Sequence, residues 1–168
     1  MTIKIGDQVP NGVLYEYISV ATEECPLGPN AFNVEELVKG KTIAIFAVPG
    51  AFTPTCSEQH LPGFIDAADD FRSKGVDEIW CVAVNDAFVM GAWGREYKAD
   101  GRVRMMADGS ALWTKALGLE LDLTERGLGV RSRRYSALLV DGVVKQLNLE
   151  ETAGYSVSDA QTLLKQLA

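Results

Sequence analysis

Two nearly continuous apolar runs with a helical stretch between them constrain this chain more than any other feature. "KTIAIFAV", residues 41 to 48, and "DEIWCVAV", residues 77 to 84, lack the polar alternation of a strand with one wet face. Such runs belong to strands covered on both sides. Between them, Leu61, Phe64, Ile65, Ala68 and Phe71 recur at helical spacing from about Cys56 to Lys74, with Gly75 as the stop. Pro62, inside that stretch, is expected to kink or tighten its first turns. Strand, helix and strand in this order start an α/β layering.

The flanking segments extend the pattern. The first 40 residues carry turn signals in "GDQVPNG" and "CPLGPN", then a short helical pattern, "AFNVEELVKG", closed by Gly40. "DAFVMGAWGREYK" predicts a second helix from an Asn85-Asp86 cap, "RVRMMAD" a third strand, and "SALWTKALG" a short helix starting at Ser110. "DLTERGLGVRSRR" reads as a glycine-bearing loop. "YSALLV" and "VVKQLNL", joined by Asp-Gly, form the clearest hairpin, and "SVSDAQTLLKQLA" closes the chain as a Ser-capped amphipathic helix. No repeat, low-complexity tract or linker divides residues 1–168. The expected architecture is one α/β domain, a mixed central sheet flanked by helices.

Composition narrows the function classes. With 47% hydrophobic and 23% charged residues, the 168-residue chain has the balance of a soluble globular domain. No apolar run reaches the roughly 18 residues that span a bilayer, so no membrane association is expected. A net charge of −7 argues against nucleic acid or an anionic membrane as partner; the basic cluster "RSRR" stands apart from that balance. Three cysteines without a C-x-x-C pair, and a single histidine, make a poor disulfide framework and a poor zinc site, so neither metal nor cofactor is expected. "MTIKIGDQVP" has no signal-peptide pattern, and a reducing cytoplasmic setting with free thiols is expected.

The cysteine in "VPGAFTPTCSEQH" is the candidate reactive group. Cys56 follows a strand and a Pro-Gly turn, at the start of the expected helix. There, free backbone N–H groups and the positive end of the helix dipole favour thiolate over thiol, and the thiolate is the nucleophile. Thr53, three residues earlier, offers a hydroxyl that can hold a small polar substrate in line with the sulfur, while Pro49 adds rigidity without a competing N–H. On residue type alone, a lone cysteine is also ordinary core filler.

The segment "VPGAFTPTCSEQHLPGF", with its P-x-x-x-T-x-x-C spacing, resembles the active site of the peroxiredoxins of type II, the peroxiredoxin 5 subfamily. "SKGVDEIWCVAVNDAFVMGAW" and "LGLELDLTERGLGVRSRRYSALLVDG" match the same members, so the similarity covers most of the chain. It implies a thioredoxin-like fold and a thiol peroxidase reducing hydrogen peroxide and alkyl hydroperoxides through a cysteine sulfenic acid. By the resemblance, the peroxidatic cysteine falls on Cys56, with Thr53, Pro49 and the distant Arg134 completing the site and His60 supporting it. Arg131 and Arg133 read as a solvated loop face.

Some relatives resolve the sulfenic acid with a cysteine near the last helix, but "ETAGYSVSDA" contains none. Cys81 is the possible resolving cysteine, as in plant members, although its neighbours Trp80 and Val82 suggest a buried strand. Cys25 lies outside the family pattern. Regeneration by glutathione and glutaredoxin is therefore expected, with thioredoxin as the alternative. A redox sensor that signals through Cys56 oxidation, and a binding module with inert cysteines, are the competing readings. The resemblance also implies a homodimer, through a side of the fold that includes Phe52, Phe88 and Trp93.

Overall fold

The computed structural model describes residues 1–151 and 154–167. The two apolar runs become β3 (Thr42–Val48) and β4 (Glu78–Ala83), paired in parallel at the centre of the sheet. β5 (Arg104–Ala107) extends the parallel part, and the hairpin β8 (Tyr135–Val140) and β9 (Val143–Leu149) adds antiparallel strands beside β3. Asp141 and Gly142, at the hairpin turn, both have positive φ, which suits the mirror-image turn that matches strand twist.

Alternation along β3 explains why its sequence is apolar throughout. Ala44, Phe46 and Val48 face one core, and Ile43, Ile45 and Ala47 face the other. The first core is covered by α2 (Leu61–Asp66), α3 (Ala68–Ser73), α4 (Ala87–Glu96) and α6 (Ala160–Gln166). The second is covered by α1 (Val34–Val38) and α5 (Leu112–Leu117), with Trp80 and Trp113 fully buried in it. Each large side chain so buried contributes roughly 1.5–3 kcal/mol.

Four features differ from the sequence expectation. The early turn-rich region contains a hairpin, β1 (Val13–Ile18) with β2 (Gly28–Asn33), which completes the seven-stranded order β2-β1-β5-β4-β3-β8-β9. Its strands are half-exposed, so they lack the apolar run that marks β3. The glycine-bearing "loop" is a second small sheet, β6 (Glu120–Leu123) with β7 (Gly129–Ser132). The expected helix from Cys56 to Lys74 is broken, with a π-helical turn at Cys56–His60 and a junction at Ala67 between α2 and α3.

The fourth difference concerns helix caps. Asp159, not a serine, caps α6 by accepting from the Thr162 N–H; Ala168, the last residue of that expected helix, lies outside the described residues. Ser110 does not start α5. The buried Asp108 carboxylate does, accepting from the backbone N–H groups of Trp113 (3.3 Å) and Thr114 (2.7 Å) and from the Thr114 hydroxyl (2.6 Å). Asp108→Ala leaves those buried donors unpaired and should cost about 1–3 kcal/mol, read as a lower urea midpoint at pH 7.

Candidate active site

At the carboxyl end of β3 the chain turns through Pro49 and Gly50 into the segment that carries Cys56. Asn85, just before α4, fixes this turn by accepting from the Ala51 N–H at 2.9 Å. Phe52 adopts φ +64, a left-handed conformation that costs a β-carbon residue about 1 kcal/mol or more. The Thr53 hydroxyl donates to the Gly50 carbonyl at 2.7 Å, which leaves its lone pairs free to accept.

The helical run starts with Pro54, where a missing N–H costs nothing. The Ser57 N–H donates to the Thr53 carbonyl at 2.9 Å, so Cys56 sits in the first turn. Its π-helical geometry closes with the Leu61 N–H donating to the Cys56 carbonyl, immediately before Pro62, which has no N–H to continue the regular ladder. A single π turn of this kind is a common feature of functional sites. Trp93 Nε1 donates to Ser57 Oγ at 3.0 Å and ties the turn to α4.

Arg134 arrives by sheet register. β3 and β8 run antiparallel with Ala47 opposite Tyr135, so Arg134 lies one step past that pair, beside the exit of β3. Its Nη2 donates to Cys56 Sγ at 3.0 Å, and its Nη1 to His60 Nδ1 at 2.8 Å. The guanidinium residue is only 9% exposed, which strengthens both contacts. One guanidinium N–H and its positive charge are thus held against the sulfur, and the other N–H against the imidazole.

His60 is fully buried, and its Nε2 lies 2.8 Å from the Ser158 carbonyl. Arginine only donates and a carbonyl only accepts, so the imidazole carries its proton on Nε2 and accepts at Nδ1. Burial, then the Arg134 charge, push its pKa down to about 3 against the opposing pull of Ser158. A Cys–His dyad is therefore absent. The histidine lone pair holds the arginine, not the thiol proton.

Glu150, which the sequence reading missed, holds the other end of this chain of contacts. Its carboxylate accepts from the N–H groups of Ser156, Val157 and Ser158 (2.9, 2.9 and 2.8 Å) and from both serine hydroxyls. Burial pushes its pKa up, but the bonds from Ser158, Val157 and Ser156 outweigh that and hold it at about 2. The turn so fixed presents the Ser158 carbonyl to His60. The available signal was Ser156-Val157-Ser158, which resembles a helix cap and was read as one.

The remaining candidates sit as follows. Pro49 is half-buried at the site's edge, and its carbonyl accepts from Arg131 Nη1 at 3.4 Å. Arg131 and Arg133 are half-buried, not a solvated face, and line a groove of about 870 Å³ that Pro49, Thr53 and Arg134 also border. Cys56 has no exposed surface and lies beneath that floor. Cys81 is fully buried in central β4, opposite Phe46, and burial raises its pKa well above the usual thiol value. Cys25 is half-buried in the first hairpin's loop; all three cysteines are free thiols. Phe52 and Phe88 are exposed whereas Trp93 is buried, so Trp93 is not part of an exposed apolar patch. No cluster of metal-binding side chains occurs among the described residues.

A family model described as Redoxin matches residues 4–164. Peroxiredoxin-2B of Arabidopsis thaliana is 50% identical over 165 residues, covering 98% of both chains. The chain belongs to the type II peroxiredoxins. Among solved structures, reduced Prx3 in complex with H2O2 from Vibrio vulnificus superposes with a TM-score of 0.91 at 48% identity, covering 99% of this chain and 100% of that one. Peroxiredoxin 5 from Alvinella pompejana gives 0.83 at 32% identity, covering 98% and 97%. As a peroxiredoxin the protein is a thiol peroxidase with a thioredoxin-like fold, acting on peroxides and drawing on a thiol reductant.

The imidazole assignment is directly measurable, because the chain has one histidine. Long-range ¹⁵N–¹H correlation spectra should show neutral, Nε2-protonated His60 from pH 8 to pH 5, and a titration near 6.5 contradicts it. Folded His60 binds a proton only near pH 3, whereas the unfolded chain binds one near 6.5, so stability should fall as pH drops below 6.5. Glu150 adds to the loss below about pH 4.5, its unfolded value. Urea midpoints that stay flat between pH 6.5 and 5 refute the histidine contribution. Glu150→Gln should displace the His60 ring resonances at pH 7.

Proposed function

We propose that Cys56 is the peroxidatic nucleophile and that Thr53, Arg134 and Pro49 are its catalytic partners, with His60 as a positioning residue. The carrying observation is the 3.0 Å contact from Arg134 Nη2 to Cys56 Sγ in the first turn of a helix. A sulfur lone pair attacks the distal peroxide oxygen, the S–O bond forms and the O–O bond breaks. The bonding pair leaves on the other oxygen, which takes a proton from water and departs as water or an alcohol. Sulfur is oxidised by two electrons to sulfenic acid. Thr53 Oγ accepts from the peroxide O–H, while Arg134 stabilises the charge that moves from sulfur to oxygen.

The sulfenic acid is then reduced by an external thiol. Its thiolate forms an S–S bond to Cys56 and the sulfenic oxygen leaves as water; a second thiol attacks the mixed disulfide and releases Cys56. Two observations favour this route over internal resolution: Cys81 is buried in the middle of the sheet, and burial keeps it protonated. Glutathione with glutaredoxin is the reductant we assign. The working compartment we assign is the cytoplasm, which maintains free thiols such as these three; cell fractionation checks it.

Arg134→Gln should slow reduction of hydrogen peroxide by about 10²-fold or more, as for loss of a charge-stabilising donor. Alkylation of Cys56 at pH 7 should also slow in this variant; equal alkylation rates in the two proteins refute the role of the guanidinium. Glutathione with glutaredoxin should sustain turnover equally in wild type and Cys81→Ser. Turnover with thioredoxin alone that disappears in Cys81→Ser overturns the external-thiol route.

We also propose a homodimer formed through the exposed Phe52 and Phe88, where the Phe88 ring packs tilted against Tyr17 at 5.9 Å between centroids. Sedimentation should show Phe88→Asp as a monomer at concentrations where wild type is dimeric. A monomeric wild type at 100 times the assay concentration rules the dimer out.

A further inference from the structure

Arg131 and Arg133 are half-buried cations. Among the described residues no carboxylate lies within salt-bridge distance of either. Their partners are backbone carbonyls: Arg131 donates to Leu128 (2.8 Å) and Pro49 (3.4 Å), and Arg133 to Glu150 (3.2 Å). Arg104 shows what this chain does elsewhere with a guanidinium of similar burial, pairing it with Glu16 at 2.7 Å and Glu78 at 2.8 Å. A carbonyl dipole compensates a desolvated cation only in part.

The acidic residues of the same groove do not fill the gap. Glu150 is occupied by the turn at residues 156–158, and Asp122 accepts from the backbone and hydroxyl of Thr124. Glu125 and Glu151 stand at the exposed rim. The inner wall beside Thr53 is thus cationic, in a chain of net charge −7. Its volume, about 870 Å³, is that of a site for a ligand of tens of atoms, far beyond hydrogen peroxide. Leu121, Leu123, Leu128 and Pro54 supply apolar walls.

We propose that Arg131 and Arg133 bind the carboxylate of a small organic reactant and so direct its reacting atom past Thr53 to Cys56. Two reactants share this chemistry, a hydroperoxide with a carboxylate on an apolar body and a low-molecular-weight thiol with a carboxylate. The inference rests on the peroxidase reading of Cys56 and adds a subsite to it.

Stopped-flow kinetics on the full chain test it in both half-reactions. Oxidation of the thiol is compared for linoleic acid hydroperoxide and its methyl ester, and reduction of the sulfenic acid for glutathione and its diethyl ester. The acid should react about tenfold faster than the ester in at least one half-reaction, as one charge-assisted contact provides. The half-reaction that shows the preference identifies which reactant the site takes. In the Arg131→Gln/Arg133→Gln double variant the acid-to-ester ratio should fall to near one, and the corresponding double lysine variant should restore it in part. The ratio is taken within one protein, so a general loss of activity cancels. A wild-type ratio near one in both half-reactions, or a ratio unchanged in the double glutamine variant, overturns the carboxylate site. Uncharged tert-butyl hydroperoxide separates the two levels: if wild type fails to oxidise with it, the reading of Cys56 falls as well.

Discussion

The contact between the Arg134 guanidinium and the Cys56 sulfur is the constraint on which the site depends. The two residues lie 78 positions apart, and neither local helix propensity nor turn chemistry brings them together. Antiparallel register between β3 and β8 does. With Ala47 opposite Tyr135, the strand that delivers the thiol's turn and the strand that delivers the arginine end at the same level of the sheet. A slip of one residue in β8 would send Arg134 to the opposite face. The burial of Ala137 and Leu139 in one core and Leu138 in the other makes that slip expensive, so the apolar pattern of the hairpin fixes the electrostatics of the site.

A long cation needs more than one partner to hold its aim, and here each partner has a fixed polarity. Glu150 accepts only; the turn at 156–158 donates to it and turns the Ser158 carbonyl toward His60; His60 donates at Nε2 and accepts at Nδ1. The link to Arg134 would break if His60 were charged, because its Nδ1 would then face Arg134 with a proton, while Nε2 would still donate to Ser158. The burial that keeps the imidazole neutral is therefore part of how the arginine is oriented. Phe46 and Tyr155 pack on the imidazole at 4.9 and 5.1 Å between centroids and keep water from it.

Legibility in the sequence followed burial. β3 and β4, buried on both faces, stood out as apolar runs, and the Asp-Gly hairpin carried its own turn signal. β1 and β2 were invisible because an edge hairpin with one wet face has weak alternation, and β6 with β7 was hidden by Gly127 and Gly129 at its turn. At the site, Pro49, Thr53 and Cys56 were legible as a spacing on one turn. Arg134 and His60 came from the family resemblance, since their meeting is made by the sheet. Glu150 was hidden because its one signal, Ser156-Val157-Ser158, also fits a helix cap, and a lone glutamate looks like surface until the turn is seen to wrap its carboxylate. The break at Cys56–His60 was foreshadowed by Pro62, but helical periodicity alone cannot tell a π turn from a continuous helix.

Cys56 and Cys81 show that accessibility does not distinguish the two thiols. Both are fully buried in the same apolar core. Burial alone drives a thiol toward its neutral form, and at Cys81, enclosed by the strands on either side, it does so. Cys56 differs in having a guanidinium donor at 3.0 Å and a place in the first turn of a helix. The neighbours, not the solvent, distinguish the two sulfurs. The turn from Phe52 to His60 contains the left-handed Phe52 and the π-helical hydrogen-bond pattern, both less favourable than regular helix, and the contacts of Asn85, Trp93 and Arg134 hold it in place.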